Sequence, residues 1–139
     1  MHVEVQRVDA GAGVVPDFRI SLTSQLTTRA QCGYQIRYEA SCWKSDIGRV
    51  LINGSRWVRG AAAFEGQLGL YRQYAINHEV GHAIGYVAHQ PCENDGGLAP
   101  VMMQQSFGVA NSEIMALDPQ MKANRTFVCR PNPWPFPTR

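Results

Sequence analysis

HEVGHAIGYVAH, residues 78–89, decides how the rest of the chain is read. Its first five residues, His78-Glu79-Val80-Gly81-His82, place two histidines four apart around a glutamate. On an α-helix, positions i and i+4 share a face, so both imidazoles can reach one ion. Glu79 lies ~100° around the helix from His78 and can reach a metal-activated water without ligating the metal. Such an arrangement suits proton abstraction as the water attacks a carbonyl. The competing reading is a helix with incidental surface histidines. Histidine is rare, and composition alone produces H-E-x-x-H in well under ~1% of chains this size, so that reading is set aside.

Two neutral imidazoles suit zinc, and a tetrahedral catalytic site needs a third protein ligand and one open position. His89 is the expected third ligand. Were the helix unbroken, His89 would sit ~10 Å along its axis from His82, too far for metal–nitrogen bonds of ~2 Å. The chain must therefore leave the helix at Gly85, where glycine permits a left-handed turn, and fold back. Asp95 is the nearest substitute ligand, but it lies beyond Pro91 and Cys92.

Outward from the motif, residues 64–85 contain no proline and keep helical spacing. Leu68, Tyr71, Ala75, His78 and His82 form one stripe. Gly66 and Gly69 weaken the start, which predicts a helix from about Leu70 to a stop at Gly85. Upstream, four segments read as β: VEVQRV (3–8), FRISLTSQLT (18–27), YQIRYEASCW (34–43) and GRVLINGSRWV (48–58). GAGVVP separates the first two as a turn. Downstream, 89–108 reads as a long loop, 110–123 as a short helix interrupted by Pro119, and the proline-rich tail as extended. The expectation is one α+β domain over residues 1–139. A twisted mixed sheet would carry the active-site helix, followed by an irregular C-terminal half.

Apolar residues make up 45% of the 139 and charged residues 17%, which argues against disorder. A net charge of +2 is too small to suggest nucleic acid or an anionic membrane as partner. No apolar run approaches the ~18 residues of a transmembrane segment. MHVEVQRVDAG lacks the apolar stretch of a signal peptide, so a mature or trimmed form is expected. The four cysteines form no C-x-x-C pair. Two disulfides, Cys32–Cys42 and Cys92–Cys129, are the preferred reading and imply an extracellular or cell-surface setting. Four buried free thiols remain the alternative.

H-E-x-x-H-x-x-G followed by histidine resembles the metzincin signature of zinc peptidases. NHEVGHAIGY, the following His and Cys, APVM-x-Q and C-x-PNPWP resemble, more closely, a family of uncharacterised secreted or membrane-anchored actinobacterial metzincin-like domains. The compact bacterial peptidase family of snapalysin is a more distant likeness. The similarity runs from about Cys32 and is strongest at 71–106 and 129–135. It implies a metzincin-like α+β fold with zinc on His78, His82 and His89, and Glu79 as general base. It also implies a Met-turn at Pro100-Val101-Met102-Met103, with Met102 beneath the metal. The chain departs from the pattern in three ways. The usual third-ligand position is Ala88, with histidine one place later; the stretch 109–127 is longer than the family's link; and Gln104 stands where some metzincins carry a switching tyrosine.

Other residues admit blander readings. Asn77 reads more readily as an exposed helix residue than as a loop-orienting one. Tyr71 and Tyr74 read as core packing, as do Trp43, Trp57 and Trp134 as core or cap residues. Glu93 and Asp95 read as a solvated turn rather than a calcium site. Met103, Met115 and Met121 read as packing, and His2 is uninformative. RVLIN at 49–53 reads equally as an interior strand or as an exposed edge suited to pairing with an extended peptide.

The function expected is zinc-dependent hydrolysis of peptide bonds in a peptide or protein substrate, by a monomer. Two alternatives remain at this level: an inactive metzincin-like binding domain, and a zinc hydrolase of a cell-wall amide.

Overall fold

The computed structural model describes residues 4–136. Its elements are β1 (Arg19–Thr23), α1 (Gln25–Cys32), β2 (Cys42–Lys44), β3 (Arg49–Asn53), α2 (Gly54–Arg59), α3 (Leu68–Ala83) and α4 (Asn111–Leu117). The three strands form a mixed sheet in the order β1-β3-β2. β1 runs parallel to β3, with Arg19 beside Arg49 and Thr23 beside Asn53. β2 runs antiparallel to β3, with Trp43 beside Val50. The coarse α+β expectation is thus met, and RVLIN is the interior strand. Val50, Leu51 and Ile52 are all buried, as a strand covered on both faces requires.

Several boundaries differ from expectation, for identifiable reasons. Residues 4–8 form no strand: apart from the half-buried Val8 they are exposed, and they have no pairing partner; Val3 lies outside the described residues. FRISLTSQLT is a strand only to Thr23. Ser24 then caps α1, its hydroxyl accepting the Thr27 N–H. GRVLINGSRWV divides in the same way at Asn53, whose side chain accepts the Ser55 N–H and starts α2. In YQIRYEASCW only the end is strand, and residues 34–41 form a loop. α4 stops at Leu117, before Pro119, rather than running to 123.

α3 packs on β3 and β2. Around it Phe64, Tyr71, Tyr74 and Ala75 form one apolar cluster. A second cluster joins Cys92, Ala99, Met103, Ile114 and Cys129, with Met121 against it, and gives the irregular half a core of its own. Trp43 and Trp57 are half-buried, but Trp134 is exposed, contrary to its reading as a core or cap residue.

Both expected disulfides form, Cys32–Cys42 and Cys92–Cys129. The second is buried within its cluster, whereas the first is half-buried. Mild reduction followed by alkylation and peptide mapping should therefore open Cys32–Cys42 first. Cys92–Cys129 should survive until the chain unfolds. Replacing Cys92 and Cys129 together by alanine should cost ~2–5 kcal/mol in urea denaturation. Equal reactivity of the two pairs in the native protein would contradict this order.

Candidate metal centre

α3 ends at the glycine singled out in the sequence. The Gly85 N–H donates to the His82 carbonyl at 3.1 Å and the Tyr86 N–H to the Gly81 carbonyl at 2.9 Å. With Gly85 at φ +113°, this is a Schellman stop. Residues 85–88 are exposed, and the chain then turns inward so that His89 is half-buried. The extra residue is absorbed in that outer bulge. His89 Nε2 comes 3.1 Å from His82 Nε2. One nitrogen from each of His78, His82 and His89 lies within 4.8 Å of the others, so the three could hold a metal ion. Asp95 takes no part: it accepts the Val128 N–H instead.

The outer ring nitrogens are fixed by backbone. His78 Nδ1 lies 2.7 Å from the Val101 carbonyl and 3.3 Å from the Tyr74 hydroxyl. That hydroxyl already donates to the Met103 carbonyl at 2.8 Å, so the Nδ1–H goes to Val101. His82 Nδ1 donates likewise to the Tyr86 carbonyl at 2.8 Å. In the neutral rings Nε2 is left as the free acceptor, the arrangement a metal-binding imidazole needs.

Three consecutive carbonyls of the turn at 101–103 tie it to this site. Val101 holds His78, Met102 accepts the Gln90 N–H at 3.1 Å, and Met103 accepts from Tyr74. Met102 is buried against α3 at Gly81, where an added Cβ would stand 2.5 Å from its sulfur. Behind the turn, the Gln105 side chain donates to the Pro100 and Asn132 carbonyls and accepts the Asn132 N–H. Asn77 donates to the Pro133 carbonyl at 2.9 Å. It therefore anchors the tail rather than facing solvent as an idle helix residue. Gln105 and Asn132, both buried, went unread in the sequence because a lone amide in a loop gives no local signal.

Burial sets the protonation of the cluster. Desolvation pushes His78 down to about 3, outweighing the Val101 carbonyl, and pushes His89 down to about 4, with the charge of His82 adding to the effect. It lowers His82 as well. All three are thus neutral at neutral pH, the form that ligates metals. Burial raises Glu79 to about 8. Among the described residues, Glu79 Oε2 is the buried side-chain oxygen or nitrogen left without a hydrogen-bond partner.

These groups form the floor of an open cleft of about 530 Å³. One wall is the 33–45 segment with β2, whose outer edge carries Cys42 and Trp43. The other is the stretch Gln104–Phe107. The wall residues were not legible in the sequence, since they come from loops with no motif.

A half-buried three-histidine cluster on a short mixed-sheet α+β frame is the class that fold and site define. The chain belongs to the family described as "Protein of unknown function (DUF3152)", whose model matches residues 1–137. No curated protein and no solved structure matches it.

Two outcomes follow from the geometry. Equilibrium metal titration should give one divalent transition-metal ion per chain. Alanine at His78, His82 or His89 should weaken it by more than ~10²-fold, beyond the 10–100-fold typical of losing a supporting residue. Unchanged affinity in His89→Ala would remove that residue from the site. Gly81→Ala should destabilise the fold by ~1–3 kcal/mol through the clash with Met102, and pairing it with Met102→Ala should recover part of that loss. Strict additivity in the double-mutant cycle would show that the two do not meet.

Proposed function

We propose that this protein is a zinc-dependent endopeptidase of the metzincin kind, with His78, His82 and His89 as zinc ligands, Glu79 as general base and Met102 as the Met-turn methionine. The observation that carries the proposal is the convergence of three neutral imidazoles beside a buried, unpartnered carboxyl at the floor of an open cleft. A three-imidazole donor set with Nε2 free suits zinc and leaves a fourth position for water or substrate. An orphaned buried carboxyl oxygen is otherwise a cost without a return, and a metal-activated water would give it a partner. Zinc held there supplies Lewis-acid activation of water and of the scissile carbonyl.

The chain's own residues supply the rest. Glu79 takes the proton of the attacking water at a carboxyl oxygen and hands it to the leaving amine nitrogen, as a base that then acts as acid. The carbonyls of Val101 and Tyr86 hold the ligand rings at fixed angles. The free edge of β2, rather than RVLIN, is suited to pair with the main chain of an extended substrate, which asks little of its sequence. Both disulfides favour action in an oxidising, extracellular or cell-surface setting. No helix among the described residues is long and apolar enough to cross a membrane.

Metal analysis and a peptide-library digest test the reading together. The zinc-loaded wild type should cut internal peptide bonds. Glu79→Ala should keep its zinc while turnover falls by at least ~10². Loss of the metal from this variant, or undiminished cleavage, would refute the role of Glu79. A zinc-loaded wild type that cuts no peptide would refute the peptidase reading.

A further inference from the structure

The cleft contains a positive charge that no neighbour neutralises. Arg29, in the last turn of α1, contributes to the wall built by the 33–45 segment. Its Nη1 donates to the Tyr38 carbonyl at 2.9 Å, and its guanidinium lies over the Tyr34 ring, 5.0 Å from the centroid. Among the described residues, no acceptor takes the N–H groups of Nε and Nη2, and no carboxylate pairs with it. The two arginines of α2 differ: Arg59 pairs with Glu39, and Arg56 is spent on the carbonyls of Glu39 and Gly60. The one acidic side chain in the cleft lining is Glu79, buried in the floor.

Arg29 is also held in place. The Tyr34 ring supports one face of its guanidinium, and the Tyr38 carbonyl fixes one end of the fork. Three residues on, Cys32 bonds to Cys42 on the edge strand, so helix and cleft wall are joined covalently. A guanidinium anchored at one end and stacked on a ring, with its other N–H groups free, is prepared to receive a carboxylate through two parallel hydrogen bonds. These two contacts offset part of the side-chain entropy that binding would cost.

We propose that Arg29 is a specificity-determining residue that binds a substrate carboxylate, so that the cleft selects peptides carrying an acidic side chain or a free C-terminus at one fixed distance from the bond cut. The inference rests on the peptidase reading for the identity of the substrate, but its chemistry stands on Arg29 alone.

Two peptide series test it: one exchanges Glu for Gln at successive positions, the other compares free with amidated C-termini. In one series the wild type should favour the carboxylate-bearing member by ~10-fold or more in kcat/KM, the scale of a charged hydrogen bond. Arg29→Gln should abolish that ratio, and Arg29→Lys should keep part of it, which controls for folding. Arg125→Gln makes the same change of charge at an exposed site outside the cleft and should leave the ratio intact. Calorimetric binding of the same peptides to zinc-loaded Glu79→Gln gives the contrast without turnover, and it should shrink as salt rises. A wild type with no carboxylate preference, or a preference that survives in Arg29→Gln, overturns the proposal. Arg29-dependent binding with no cleavage by the wild type would support the anion site and overturn the peptidase reading. Cleavage without preference would do the reverse, and neither binding nor cleavage would overturn both.

Discussion

The hydrogen bond from His78 to the Val101 carbonyl is the constraint on which the rest depends. His78 is buried, and a buried imidazole needs a partner for its N–H. That partner comes from a turn 23 residues away in sequence. The turn can approach only because Gly81 lacks a side chain where Met102 packs. Tyr74 completes the clamp by donating to Met103 and accepting the Gln105 N–H. One helix stripe thus carries two imidazoles and a tyrosine, and the turn presents carbonyls to His78 and Tyr74.

Side-chain amides stand in for secondary structure in the C-terminal half. Among the described residues that half has one short helix and two isolated bridges, so few of its backbone groups find partners in regular ladders. Asn111 bonds both the N–H and the carbonyl of Cys92 and also the Asn124 carbonyl. Asn132 serves Ala99 and both backbone groups of Trp134. Each amide is fully or nearly fully buried, and each satisfies groups that would otherwise be costly to bury. The Cys92–Cys129 bond then joins the loop after the histidines to the tail that supports the turn.

The cleft is asymmetric in its construction. Its floor belongs to a helix packed on the sheet, with backbone bonds orienting the rings. Its walls belong to loops secured by single devices: the Cys32–Cys42 bond and Arg29 on one side, the Gln105 network behind the other. A rigid floor with separately built walls lets the geometry of the three histidines stay fixed while the wall residues vary.

The sequence by itself determined what depends on local spacing. Two histidines four apart must share a helix face, Gly85 must end that helix, and a third histidine cannot join the cluster unless the chain doubles back; each of these follows from helix geometry. The disulfide partners were legible too, and the α+β character emerged from the change of period near residue 64. Strand ends were not legible, because Ser24 and Asn53 begin helices inside runs whose alternation continues past them. Only the tertiary structure decided that Asn77 grips the tail, that Gln105 and Asn132 frame the turn, and that RVLIN is interior while β2 holds the open edge. These depend on which distant backbone carbonyl meets a given side chain. That partner is set by packing between remote segments, and no periodicity along the chain encodes it.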